Sequence, residues 1–253
     1  MKLADIITIG DEILTGDILD TNSKFLCERL TGLGVTVSKV TIIHDDVEII
    51  SQAVFNSLNS DVDYTIVSGG LGATPDDMTI EAVAKALKCE LKKDPEVVEW
   101  IKKKMEYMAK LGFKGGITEE REKFAIIPEG FIPIYNKVGL APALVSEHDE
   151  STLIILPGVP RELEPLFKEI SEKYIKSEET IECEELKIFG LESDLANCFK
   201  EFNENFPDIR LGSYPTRGTV LVKLYLSGKD AEEVKGRLEE AKEYLLILLK
   251  DGE

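Results

Sequence analysis

Histidine and glutamine are almost missing from this chain: it holds two histidines, His44 and His148, and one glutamine, Gln52. So few imidazoles argue against a zinc centre, because the four cysteines, Cys27, Cys89, Cys183 and Cys198, are also widely scattered and lack paired ligand spacing. That pattern predicts isolated thiols. Abundant Lys and Glu beside so little glutamine is the composition of a heat-adapted protein. Basic residues are scarce next to acids, 30 Lys and Arg against 48 Asp and Glu, for a net charge of -18. Nucleic-acid binding through a basic face needs clustered cations, so that class is set aside. A small phosphate ligand stays open where a local site or a metal supplies the positive charge. Long apolar runs are absent too: residues 153–156 and 244–249 are the longest, far short of the about 20 residues that span a bilayer. The start, Met1-Lys2-Leu3-Ala4-Asp5, has no secretory pattern. A cytoplasmic protein with no membrane partner is expected.

What is present is an ordinary globular composition, 43% apolar over 253 residues, with room for two domains. The most informative stretch is Ser68-Gly69-Gly70-Leu71-Gly72-Ala73-Thr74-Pro75-Asp76-Asp77. It follows the β-branched run 64–67, read as a buried strand, and precedes residues 78–87, whose apolar positions repeat at helical spacing. Glycines there let main-chain N–H groups approach an anion, and the following helix offers orphan donors. Two aspartates beside a phosphate repel it unless a divalent cation lies between, so a metal-bound phosphate or pyrophosphate suits this loop. The alternative is that Thr74, Asp76 or Asp77 caps the helix and the glycines only turn the chain.

Residues 3–9 read as a first strand that ends at Gly10 and opens into Asp11-Glu12-Ile13-Leu14-Thr15-Gly16-Asp17. Asp20 or Thr21 can cap the next helix, which stops at Gly32 or Gly34; a second strand spans 35–43, a turn His44-Asp45-Asp46, and a second helix 47–58. This alternation predicts right-handed crossovers and a doubly wound, mostly parallel α/β sheet. A strand order of 2-1-3 would bring the loops after Gly10 and Gly69 to one crevice, with Asp45 just beyond. Residues 95–111 form a lysine-rich surface helix that the run 111–116 breaks, and Arg121 and Lys123 are cations that could face the crevice. Strands are expected over 133–136, 143–146 and 152–156. Pro157-Gly158-Val159-Pro160 then opens a helix over 161–176, with Arg161, Glu162 and Glu164 on its exposed side. The remainder reads β-α-β-β-α, with Ser193 or Glu192 near a helix entry. Domains are therefore expected over 1–176 and, as a smaller α+β unit, over 177–253.

Taken together, Gly10 to Gly16 with Asp20-Thr21-Asn22-Ser23, Gly69 to Asp77, Lys123-Phe124-Ala125, Asn136 with Gly139 to Pro142, and Leu156 to Pro160 resemble the ordered motifs of the CinA family's amino-terminal region. Its first part is the domain also seen in the molybdopterin-binding proteins MogA and MoaB. Gly190 to Ser193 and Gly212 to Pro215 resemble that family's small second domain. The resemblance implies a metal-dependent nucleotide pyrophosphatase that converts ADP-ribose, or a related dinucleotide, to AMP and a sugar phosphate. Because the chain stops at Glu253, the family's nicotinamide-nucleotide deamidase activity is not expected.

By the same resemblance Asp77 would hold Mg2+, or Mn2+ or Co2+, with Asp45 and Glu12 assisting. Amides of Gly69, Gly70, Leu71, Gly72 and Thr74 would cradle phosphate, and Lys123 would offset charge on the leaving group. Gly10, Asn22, Ser23, Asn136, Gly139, Pro157 and Gly158 complete the implied substrate-binding set. Ala73, Phe124, Leu140 and the pair Arg121-Glu122 depart from the family pattern, and Phe124 and Leu140 remove polar groups that would touch a nucleotide. The alternatives are a molybdopterin-binding or adenylylating protein and a non-catalytic nucleotide-binding protein. A homodimer is expected by resemblance.

Overall fold

The structure, a computed structural model, describes residues 2–112, 116, 118–148 and 151–251. The chain divides into two compact units, one of Lys2–Leu30 and Thr36–Lys176, the other of Thr31–Val35 and Ser177–Glu253.

The larger unit runs β1 (Lys2–Ile9), α1 (Asp11–Leu14), α2 (Thr21–Gly32), β2 (Val35–Ile43), α3 (Val47–Leu58), β3 (Tyr64–Ser68), α4 (Thr79–Leu87), β4 (Leu91–Lys93), α5 (Pro95–Lys110) and α6 (Glu119–Glu122). A 3-10 turn over Lys123–Ala125 leads to β5 (Ile126–Pro128), β6 (Ile132–Ile134), β7 (Ala143–His148), β8 (Ser151–Leu156) and α7 (Pro160–Tyr174). Six strands form one sheet in the order β2-β1-β3-β8-β7-β6. β1, β3 and β8 pair in parallel, Ile6 opposite Ile66 and Ile66 opposite Ile154, while β7 and β6 return antiparallel. The winding therefore reverses between β1 and β3, as the 2-1-3 expectation required. All five residues of β3 and the last six of β1 are buried, because helices cover both faces of a parallel sheet and leave its central strands no solvated side. Ile7, Ile9, Val67, Ile155, Leu144 and Leu153 form one core with Ile50 and Val54 of α3 and Ala82 and Val83 of α4.

Helix ends follow local chemistry. Asp20 Oδ1 accepts from Ser23 N at 2.9 Å at the start of α2, Asp46 accepts from Glu48 N and Ile49 N before α3, and Asp94 caps α5 with Pro95 in its first turn. The final turn of α4 closes on Lys88 in a left-handed conformation. Several elements depart from the sequence reading, among them the short helix α1 where an open loop is expected. The short pair β4 and β5 has no alternation to reveal it, since three residues are too few for a period. The strand expected at 133–136 is shorter and shifted, β6, because Asn136 leaves the sheet to hold a loop. Of the run 111–116, residues 113–115 lie outside the described residues.

The smaller unit comprises β9 (Thr180–Phe189), α8 (Glu192–Asn205), β10 (Arg210–Thr216), β11 (Thr219–Gly228) and α9 (Ala231–Asp251). Its antiparallel sheet has the order β10-β11-β9, with Leu186, Val220, Val222 and Leu224 packed on Phe202, Leu238 and Leu245 of the helices. Glu192 and Ser193 open α8 directly after its N-cap residue Leu191, at the expected helix entry, and Ser213 donates to Glu192. No helix of the described residues is long and apolar enough to cross a membrane.

Candidate functional site

A cavity of about 720 Å³ opens at the carboxyl ends of β1, β3 and β8. It lies where the winding reverses, the position at which open α/β sheets hold ligands. Four loops wall it, and their order follows the sheet: Asp45 after β2, Gly10 to Asn22 after β1, Gly69 to Asp77 after β3, and Pro157 to Glu162 after β8. A fifth segment, Gly139 to Ala141, and Phe124 close the side.

Strand ends meet here at main-chain distance. Gly69 has φ +106, and a Cβ on it would stand 2.2 Å from the carbonyl oxygen of Ile9; one on Gly158 would stand 3.2 Å from Gly69 Cα. Thr79, fully buried, donates through Oγ1 to Gly69 O at 2.8 Å, while its N–H reaches Gly70 O. The loop is thus tied at both ends before α4 starts.

Within that loop the acid turns inward. Asp77 accepts from Gly72 N at 2.6 Å, from Thr74 N at 2.8 Å and from Thr74 Oγ1 at 2.5 Å. Two sequence expectations change as a result. None of Thr74, Asp76 and Asp77 caps α4, whose N-cap position is held by Met78 without a side-chain bond. The amides of Gly72 and Thr74 serve the protein's own carboxylate, and that of Gly69 donates to Leu156 O.

Glycine has a second role at this site. An added Cβ would stand 2.8 Å from the Glu12 carboxylate at Gly10, 2.2 Å from that of Asp77 at Gly72, and 1.6 Å from that of Glu162 at Gly139. Three acids each occupy the space that a missing side chain leaves. The first turn is also laced to the second: Asp11 N donates to Asp45 Oδ2 at 3.0 Å, and Asp11 Oδ1 lies 2.7 Å from His44 Nδ1. Burial pushes the Asp45 carboxyl above the ordinary range, and the carboxylates of Asp11, Glu12 and Asp77 push it further. Acids from three loops therefore feel one another across the same end of the cavity.

Hard oxygen donors of this kind fit a divalent cation in chemical character. Among the described residues no three His, Cys, Asp or Glu side chains are gathered as a ready-made metal site. A magnesium-like ion does not need one, since it takes one or two carboxylates and completes its shell with waters and substrate phosphates.

The remaining sequence candidates separate into groups. Gly10, Asn22, Gly69, Gly70, Leu71, Gly72, Thr74, Gly139, Pro157 and Gly158 line the cavity together with Glu12, Asp45 and Asp77. Asn22 already donates to Gly158 O at 2.7 Å and so joins two walls. Ser23 is buried against Thr8 Oγ1, and Asn136 is buried behind the wall. Lys123 lines a small adjoining pocket with Leu71, Gly72 and Phe124 rather than the main cavity. Glu162, read from sequence as a solvated helix residue, lines the cavity, as do the apolar Ile18, Leu140 and Val159.

A family described as "Probable molybdopterin binding domain" matches residues 5–177, the part that carries every wall of this cavity. The chain belongs to that family. Residues 180–253 match a second family, "FAD synthase, middle domain". A protein of Archaeoglobus fulgidus is 37% identical over 240 residues, covering 95% of this chain and 96% of its own. One of Pyrococcus furiosus is 36% identical over 238 residues, covering 93% and 94%. Among solved structures, the protein CinA of Thermoplasma acidophilum, described as of unknown function, is 39% identical with a TM-score of 0.62, covering 68% of this chain and 98% of that one. The CinA-like amino-terminal organisation read from the motifs thus stands: a molybdopterin-binding-type domain followed by a smaller unit.

Burial of Asp45, with the acids crowded around it, has a stability cost that can be measured. The folded Asp45 carboxyl titrates above its unfolded value, so the native state holds that proton more tightly. The penalty grows as pH rises through the window above the ordinary carboxylate value and is complete once the folded group is ionised. Asp45→Asn is therefore expected to raise the thermal midpoint at neutral pH and to have no effect in acid below the unfolded value. A midpoint at pH 7 equal to that of the wild type would contradict this.

Proposed function

We propose that the chain is a metal-dependent nucleotide pyrophosphatase that hydrolyses ADP-ribose, or a related dinucleotide, to AMP and a sugar phosphate. The observation that supports it most is the convergence of Glu12, Asp45 and Asp77 on one end of a cavity large enough for a nucleotide. Such an end repels a bare pyrophosphate and welcomes one neutralised by a cation. Asp77 and Asp45 would hold a divalent ion, which would supply the positive charge that offsets the phosphate oxygens. Glu12, standing over Gly10, accepts the proton of the attacking water. The water oxygen bonds to one phosphorus as the bridging P–O bond breaks, and the leaving phosphate departs with those electrons. The apolar surfaces of Phe124, Leu140 and Val159 exclude competing water from the uncharged part of the ligand.

The expected outcome with purified protein is AMP release from ADP-ribose that depends on Mg2+, Mn2+ or Co2+. No AMP with any of the three would remove the reading. The family match supports a second one, a pterin-phosphate-binding or adenylylating protein. It predicts pterin fluorescence that persists through gentle purification, and ATP-dependent adenylation of that ligand.

A further inference from the structure

Glu162 lines the cavity and has no part in the preceding chemistry. It lies in the first turn of α7, where a glutamate commonly folds back to cap its own helix. Its N–H donates to Val159 O at 2.9 Å in the ordinary helix-entry turn, while its carboxylate turns to a neighbouring loop. The carboxylate instead accepts from Asn136 Nδ2 at 2.8 Å, over the bare Gly139.

Asn136 is only 2% exposed and is itself fully engaged. Its Oδ1 accepts from Val138 N at 2.9 Å and Gly139 N at 2.8 Å, and its Nδ2 also donates to Ala141 O at 2.8 Å. Lys104 of α5 reaches into the same loop and donates to Asn136 O at 2.9 Å and to Gly139 O. Burial lowers its pKa, while the nearby Glu162 carboxylate opposes that shift. A buried amide thus holds one carboxylate oxygen of Glu162 in place, and a half-buried ammonium ties down the loop that carries that amide. Arrangements with every member satisfied in this way are rigid.

Position along the sheet distinguishes Glu162 from the other acids. It follows β8, whereas Glu12 and Asp45 follow β1 and β2, and β3 with its glycine loop lies between. It is also not among the groups that perturb Asp45. An ionised carboxylate only accepts hydrogen bonds, so it repels phosphate oxygens and rewards a ligand that brings O–H donors to it. A nucleotide carries those donors on its ribose, and an acid on ribose hydroxyls is how other α/β nucleotide sites read the sugar.

We infer that Glu162 is a specificity residue that accepts the vicinal hydroxyls of the ligand's ribose, with Asn136, Gly139 and Lys104 as its positioning residues. The inference rests on the nucleotide reading of the cavity but not on hydrolysis. It sets the ligand's direction: phosphates toward the glycine loop, sugar toward α7.

Equilibrium binding of ADP, 2′,3′-dideoxy-ADP and inorganic pyrophosphate, each with Mg2+, tests it. Wild-type protein is expected to prefer ADP over the dideoxy form by roughly 10-fold or more, the size of hydrogen bonds to a charged group. Glu162→Ala should bring ADP down to the dideoxy level while pyrophosphate binds no worse. Gly139→Ala keeps the carboxylate but pushes it aside, and it should equalise the two nucleotides as well; only a side-chain end has to move, so the fold accommodates it. An ADP preference that survives both variants, or a Glu162→Ala loss equal for all three ligands, would overturn the assignment. If wild-type protein binds none of the three, the nucleotide reading falls together with it. Discrimination without AMP release would refute hydrolysis and leave Glu162 in its role.

Discussion

Asp77→Ala is expected to lower metal-dependent AMP release by about 10²- to 10³-fold, the usual cost of losing one preorganised electrostatic group at a reacting phosphate. The variant removes the carboxylate that Gly72 N, Thr74 N and Thr74 Oγ1 hold in place. Loss of the loop's own bonds is part of that cost, and Gly72→Ala tests the seat with the residue retained. An added Cβ there stands 2.2 Å from Asp77 Oδ2, so the carboxylate must leave its seat while the residue itself remains. The obstructed atom is the end of a side chain, and Gly72 lacks the positive φ of its neighbours Gly69 and Gly70. Gly72→Ala should therefore denature within about 1 kcal/mol of wild type yet lose activity nearly as far as Asp77→Ala. Full turnover in Gly72→Ala would show that the seat of Asp77 is irrelevant to the chemistry. Full turnover in Asp77→Ala would remove Asp77 from the mechanism.

Gly69→Ala, three residues earlier, is expected to fail in the opposite way. Its Cβ would meet the main-chain oxygen of Ile9 at 2.2 Å, and its φ of +106 is one that side-chain-bearing residues rarely adopt. Neither atom belongs to a flexible side chain. The ends of β1 and β3 must part, and they form the floor of the cavity. Overpacking against the backbone together with left-handed strain should cost about 3 kcal/mol or more, read as a lower midpoint in urea denaturation without ligand. A midpoint unchanged from wild type would mean that the two strand ends are less closely packed than this distance implies.

These two glycines show why part of the site was legible and part was not. Both appear in one Gly69-Gly70-Leu71-Gly72 string, and sequence reasoning assigned them the same task of approaching a phosphate. Gly69 is needed for one strand end to pass another, and Gly72 for a carboxylate five residues on. Only the partner of the missing Cβ distinguishes them, and Ile9, sixty residues away, is invisible along the chain. Lys123 presents the same difficulty. As a cation in a motif it reads as a partner of the leaving phosphate, but the 3-10 turn carries it to an adjoining pocket that Phe124 also lines. Ser23 sits in a helix-entry motif, yet α2 turns it toward Thr8 and the core. Glu162 went unrecognised because an acid in the first turn of a helix is ordinary, and nothing local says that Asn136 will be waiting beside it.

By itself the sequence determined the layers and the location of chemistry. The mostly apolar segment 3–9 and the β-branched run 64–67 read as buried strands, and strands alternating with helices place their carboxyl-end loops along one edge. Period and composition are local properties, so a chain displays them before it folds. Tertiary structure decided which acids share the cavity, which amides are already taken and which glycine yields to which neighbour. Those outcomes depend on distances between residues tens of positions apart, and only packing sets such distances.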